Sequence, residues 1–524
     1  MNKKLVYDFR SLDWTKTLKI VLVVALLLPL MAWRPLLTTA PRTQPALLEL
    51  AAGRPDERVS VIVQKTLRDT TVEALVVRLG GVVLQDLHII NAFAAELPAQ
   101  AAVELAQAPG VRWVSLDAPM LHSGKLKPPT DITASGTTTL LQNTYLDTVN
   151  VRPVWKMGLQ GQGVTVAVID SGISSDNDFA AAPGGKSRLL AQLAFGPQGV
   201  SVADIFGHGT HVAGIIGGSG ADSGGAYSGI APQVNLFSLK VGDGTGGAKE
   251  SDVVAALQWV YDHKTLYNIR VVNLSINSTT EQSYHTSPLD AAAEILWFDG
   301  VVVVASAGNT ISNGAWYNTV NTAPANDPFV ITVGATNEAL SSNTNDDWVA
   351  LYSDYGVTLD GLVKPDLVAP GTGIISVLSP NSGWATQHPY QVVLNGQYFR
   401  LSGTSMAAPM VSGAAALLLQ DEPNLTPDQV KYRLTHTGNT IRGGLGDSRS
   451  YPYLNVYAAV TGNTTQSSNT GLAASKLLWT GNTPVAWNSL NWGSVNWGSV
   501  NWGSVNWGSV NWGSVNWGGI SWDN

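Results

Sequence analysis

Two short, nearly uninterrupted apolar runs rich in β-branched residues, Val164 to Ile169 and Val301 to Ala305, constrain this chain more than any other feature. A strand with one wet face alternates polar and apolar side chains. These runs do not, so they read as strands buried on both faces of a parallel sheet. Parallel strands need long crossovers, usually helices, which makes the fold class α/β. In open sheets of that kind ligands bind beyond the carboxyl ends of the strands. The first run ends at Asp170 and the second leads into Gly308-Asn309, so a carboxylate and a primary amide stand at that edge.

Two further segments supply complementary chemistry. Gly207-His208-Gly-Thr-His211-Val-Ala-Gly carries an imidazole, and Gly403-Thr-Ser405-Met-Ala-Ala-Pro409 sets a hydroxyl at the start of an Ala- and Leu-rich helix, Met406 to Gln420. A helix N-terminus offers free N–H groups and the positive end of the macrodipole to a developing oxyanion. In the order Asp170, His208, Ser405 the chain therefore carries an acid to orient an imidazole, a base and a nucleophile. Asn309 is the expected second oxyanion donor. Pro409 is expected in the first helical turn, where proline is tolerated, and His211 is expected to pack its helix.

Other arrangements fit less well. His208 and His211 lie three apart with no Glu after His208, and the chain has no Cys, whereas the helical zinc pattern needs two histidines four apart with a Glu between. Ser405 followed by Asp428 and His436 approaches the α/β-hydrolase order, but Ala407 replaces the elbow's second glycine. Asp428 is better explained as a helix-start charge in the segment Thr426 to Leu434.

Spread over Val151 to Val460, these motifs resemble those of the subtilisin-like serine peptidases. The resemblance implies a doubly wound, mostly parallel sheet with helices on both faces over residues 141–463. It implies a serine endopeptidase acting on protein or peptide substrates through an acyl-enzyme, with Asp170, His208 and Ser405 catalytic and Asn309 in the oxyanion hole. Two segments, Asp243-Gly244-Thr-Gly246 and Asn273-Leu-Ser275-Ile276-Asn277, would flank an extended substrate as added strands, with Gly308 nearby. The family usually has glycine where Asn277 stands, so a side chain there would narrow or polarise the entrance to the main specificity pocket. Pro324 matches a position with a cis peptide bond. No cofactor or metal is expected: calcium is permitted, but the loop from Gly217 to Tyr227 offers only Asp222.

Upstream, residues 41–120 hold a compact α+β, ferredoxin-like pattern. Val59 to Val63 reads as a strand and Thr71 to Leu79 as a helix with Val72, Leu75, Val76 and Leu79 on one face, stopped by Gly80-Gly81. Strands Val82 to Leu87 and Ala92 to Leu97, a helix opened by Pro98 and a strand Val111 to Leu116 complete a β, α, β, β, α, β order. This resembles the inhibitor prodomain of many subtilisin-like enzymes, which implies an intramolecular inhibitor and a self-processed zymogen. Residues 121–140, rich in Thr, Pro, Ser and Gly, suit a linker that is cut.

At the N-terminus, basic residues from Lys3 to Lys19 precede the apolar run Ile20 to Trp33, the pattern of a signal peptide or signal-anchor within residues 1–40. The run is shorter than the ~20 residues of a spanning helix, which favours a secreted or cell-surface protein over an anchored one. A net charge of -8 with only 13% charged residues leaves no footprint for nucleic acid.

Residues 464–524 form a low-complexity tail in which Asn491-Trp-Gly-Ser-Val495 repeats as a pentapeptide. A period of five puts successive Trp on opposite faces of a strand and turns them by about 140° on a helix, so neither element gives a stripe. Regularly spaced Trp can stack on polysaccharide or a cell surface. That sets up a contrasting expectation, an adhesive or polymer-binding protein on an inactive protease scaffold. The complete set Asp170, His208, Asn309 and Ser405 favours the enzyme.

Overall fold

The computed structural model describes residues 42–122 and 143–479, apart from 182–183, 198, 310–318, 340, 381 and 445–446. The signal segment, most of the linker and the pentapeptide repeats lie outside the described residues.

The N-terminal domain opens with a helix the sequence pattern did not separate, α1 (Pro45–Gly53). The expected order follows: β1 (Arg58–Lys65), α2 (Thr71–Arg78), β2 (Val82–Leu87), β3 (Ala92–Pro98), α3 (Ala99–Leu105) and β4 (Val111–Leu116). They form an antiparallel sheet in the order β2-β3-β1-β4. The Gly80-Gly81 stop has two causes: Gly80 has φ +78°, and a Cβ on Gly81 would stand 2.7 Å from Val76 and 2.8 Å from Leu97. The chain then continues past the expected boundary at 120 into a fifth strand, β5 (Pro119–His122).

The second domain is built on β6 (Thr165–Asp170), β7 (Leu189–Phe195), α4 (His208–Gly217), β8 (Asn235–Val241), β9 (Gly247–Lys249), α5 (Glu250–Tyr267), β10 (Ile269–Leu274), β11 (Ile276–Ser278), α6 (Pro288–Phe298), β12 (Val302–Ser306), β13 (Ile331–Asn337), β14 (Trp348–Val349), β15 (Leu367–Pro370), α7 (Thr404–Asp421) and α8 (Pro427–His436). The main sheet runs β14-β13-β12-β10-β6-β8-β7, with β15 also on β13, and every pairing except β13 with β14 is parallel. Both runs that introduced the chain are central strands of this sheet, and all six residues of β6 are buried. Helices α4 and α7 pack together, as do α5 and α6, and both pairs lean on the sheet. Strand β6 has β8 on one side and β10 on the other, so it marks the point where the winding reverses, the place where such folds open a ligand crevice.

The two domains share one apolar core: Ile62, Leu87, Ile89, Ile90, Ala92 and Ala94 of the first join the cluster of the second. The expected tail boundary at 464 also shifts. Ala474, Leu477, Leu478 and Trp479 are buried, and the carbonyls of Leu477 and Leu478 accept from Gln64 Nε2 and Arg112 Nη1 at 2.5 and 2.9 Å. Folded chain therefore runs to at least residue 479. No helix among the described residues is long and apolar enough to cross a membrane.

Candidate active site

Asp170 ends β6 with no solvent exposure. Its Oδ1 accepts from His208 Nδ1 at 2.7 Å and from the Ser171 N–H at 2.7 Å. Burial pushes its carboxyl up, but His208, His122 and the Ser171 N–H more than offset this and hold it below the ordinary carboxylate range. The contact fixes the His208 tautomer with Nδ1–H donating, which leaves Nε2 as the acceptor for a proton. Nε2 is buried and has no hydrogen-bond partner among the described residues.

Glycine makes this approach possible. A Cβ on Gly209 would lie 2.1 Å from the Gly172 carbonyl and 3.1 Å from Asp170. The start of α4 is tied down by Asp204, which motif reasoning missed. Its Oδ1 accepts from Gly207 N and Ser171 Oγ, and its Oδ2 from Thr210 N and Oγ1, all within 2.6–2.9 Å. An Asp just ahead of a helix start was the available signal. His211, one turn on, has its Nε2 at 3.2 and 2.9 Å from the carbonyls of Ile374 and Phe399, and burial lowers its pKa to about 3. It packs as expected.

Ser405 is the second residue of α7, and its Oγ lies 3.3 Å from the Ser275 carbonyl. Pro409 is not in the first turn as expected: it is the sixth residue of the helix, so the Ser405 carbonyl lacks its usual partner. Ser275 supplies one, its Oγ donating to the Ser405 carbonyl at 3.1 Å. The proline thus locks the helix start onto the loop between β10 and β11. Asn309 Oδ1 accepts from Thr404 N and Oγ1 at 2.9 and 3.1 Å, which fixes the orientation of the amide and leaves Nδ2 as its donor end. Gly308 has φ +111°, and a Cβ there would come 2.4 Å from Asp354.

The expected flanking segments are found with one correction. Ile276 and Asn277 belong to β11, but the opposite strand is β9, beginning at Gly247, not Asp243 to Gly246. Gly244 (φ +90°) and Gly246 (φ +98°) lie in the turn before it, against Ile205 and Phe206. Asn277 is buried, its Nδ2 donating to the Ser306 carbonyl and its Oδ1 accepting from Ser306 Oγ, both at 3.0 Å. Between β11 and β9 lies β5, antiparallel to both, with His122 opposite Ile276, Leu121 opposite Asn277 and Leu121 opposite Gly247. The Ala323–Pro324 bond is cis. The loop beyond α4 is richer in carboxylates than it looks in sequence, since Asp176 and Asp178 join Asp222, with Asp178 accepting from Tyr398 Oη and Asp222 from Asn177 Nδ2.

A buried acid–imidazole pair, a serine at a helix start and an amide fixed beside it thus stand on a doubly wound sheet. The subtilase family profile matches residues 161–470, more than half of the chain, and the chain belongs to that family of serine-type endopeptidases. It is 38% identical to serine protease AprX of Bacillus subtilis over 53% of this chain and 61% of AprX, so it spans less than two thirds of that relative. It is 33% identical to subtilisin NAT of Bacillus subtilis subsp. natto over 72% of this chain and 83% of the relative. The solved structure of fervidolysin from Fervidobacterium pennivorans, a keratinolytic enzyme related to subtilisin, superposes with TM-score 0.58 at 25% identity, covering 79% of this chain and 62% of fervidolysin. A pentapeptide-repeat profile of eight copies matches residues 488–522.

Proposed function

We propose that the chain is an exported endopeptidase made as a self-processed zymogen, in which residues 43–122 act as an intramolecular inhibitor. One observation carries this reading: β5 fills the groove between β11 and β9 in the way an extended substrate would, and its last residue, His122, stands opposite Ile276, beside Ser275, whose carbonyl meets Ser405 Oγ. A product strand left in that position blocks the site until its domain leaves.

The proposed chemistry uses these groups in turn. His208 Nε2 takes the Ser405 proton as Oγ attacks the carbonyl, and Asp170 stabilises the imidazolium. The oxyanion meets Asn309 Nδ2 and the N-terminus of α7. His208 then gives its proton to the leaving amine, and water repeats the sequence on the acyl-enzyme.

Export rests on the N-terminal basic and apolar pattern, and a role for the Trp-rich repeats in holding the enzyme on a cell surface or polysaccharide rests on their composition. The test of the enzyme reading is Ser405→Ala in the full chain, followed for casein hydrolysis and for separation of the N-terminal domain. The variant is expected to accumulate uncut and to show no hydrolysis. Processing and hydrolysis at the wild-type rate would overturn it.

A further inference from the structure

His122 enters an enclosure that the catalytic scheme does not require. Its side chain is 1% exposed. The ring meets Phe206 with centroids 5.5 Å apart and the edge of His208 at 5.1 Å, and Trp384 packs against both of those rings at 4.7 and 5.6 Å. His122 Nδ1 lies 2.7 Å from the Gly246 carbonyl. A carbonyl can only accept, so Nδ1 carries the proton. Nε2 stands 3.3 Å from Asp170 Oδ1 without a hydrogen bond among the described residues. Burial lowers the His122 pKa against the pull of Asp170, with His208 adding to the lowering and the Gly246 hydrogen bond and Asp204 opposing it.

The register fixes where this enclosure lies along a substrate. His122 is opposite Ile276, which follows Ser275, whose carbonyl meets Ser405 Oγ; a substrate held in this register would bring its next residue to Ser405, so the enclosure receives the side chain two residues upstream of the bond that is cut. A leucine there would gain the aromatic contacts but leave the Gly246 carbonyl without its donor, and an alanine would lose both. A lysine or arginine would bring a charge into a site whose burial disfavours one.

Resting on the peptidase reading, we propose that Phe206, His208, Trp384, the Gly246 carbonyl and the edge of Asp170 form a subsite selective for an imidazole that donates from Nδ1. Its occupant is a histidine two residues upstream of the scissile bond, supplied either by a substrate or by the chain's own residue 122.

Processed enzyme is given peptides that differ only at this residue: histidine, leucine, alanine or Nδ1-methylhistidine, which cannot donate to Gly246. Histidine is expected to exceed leucine and alanine by about tenfold in kcat/KM, the worth of roughly one good hydrogen bond in a dry site, and Nδ1-methylation is expected to abolish the gain. Trp384→Ala should bring the histidine-to-alanine ratio toward one. In a second arm, His122→Ala in the full chain is expected to weaken residual inhibition after processing about tenfold; unchanged inhibition would overturn use of the subsite by the chain's own strand. Equal rates for histidine and alanine peptides, with casein still hydrolysed, would overturn the subsite and leave the peptidase reading standing. Loss of casein hydrolysis as well would sink both.

Discussion

The main parallel sheet and the three-stranded sheet in the cleft are built by different rules. Strands β6, β10 and β12 are largely apolar and buried, β6 ends at Asp170 while β10 and β12 lead to Ser275 and Asn309, and their pairing is internal to one domain. The cleft sheet has edges from that domain and a middle strand from another. The main sheet determines what reaction is possible, and the cleft sheet determines what occupies the site. Damage to the first should therefore appear in the chemical step, and damage to the second in occupancy and release.

The sharpest way to break this contrast is Asn309→Ala. The amide is placed by the end of β12 and by Thr404, away from the β5 contacts, so kcat should fall about 10²- to 10³-fold with KM little changed. That range was measured on an oxyanion-hole donor in subtilisin, a member of this family. Steady-state kinetics on one peptide decide it. A rise in KM at constant kcat would place Asn309 with the cleft instead.

The same contrast explains what was legible in the sequence. The strand ending at Asp170 and the one leading to Asn309 could be read because burial on both faces removes polar alternation, and His208 and Ser405 because small residues crowd around them. The six elements from β1 to β4 were legible from periodicity and glycine stops. Strand β5 was not: Pro119-Met-Leu-His122 has no period of its own, and its pairing partners lie more than a hundred residues away. Asp204 was missed because its place ahead of a helix start was its one signal, and its partners, backbone N–H groups and hydroxyls, carry no motif. Pro409 misled because its place in the helix depends on where the helix begins, and the loss it causes is repaired by Ser275.

The cleft sheet is held partly by Asp117, just ahead of β5. Its carboxylate accepts from Ser251 N and Oγ, both at 2.8 Å, and from Ser60 Oγ at 2.9 Å, so one domain caps the helix that opens after β9 in the other. Losing a helix cap costs ~1 kcal/mol or somewhat more. Asp117→Ala should therefore weaken inhibition by the separated N-terminal domain about tenfold while leaving kcat of the freed enzyme unchanged. Inhibition as tight as wild type would show that β5 alone sets occupancy.

The smallest effect expected at this junction is a pH dependence through Glu250, the first residue of α5. Its backbone N–H donates to the Ala118 carbonyl at 3.0 Å, and its Oε1 accepts from Ser278 Oγ at 2.6 Å. Burial raises its pKa from 4.5 to about 8, with the Ser278 bond opposing, Asp117 adding and Gln282 opposing. A carboxyl raised by folding stabilises the folded chain fully below its ordinary value of 4.5, and that contribution is lost as pH climbs through about 8. Glu250→Gln keeps the shape and removes the titration. In a Ser405→Ala background, which removes the proposed nucleophile, the Tm of Glu250→Gln minus that of its parent should grow by a few degrees between about pH 5 and 9. Parallel Tm curves would mean that the Glu250 carboxylate is solvated at high pH, and the junction would then be held by Asp117 and the β5 backbone without a titrating partner.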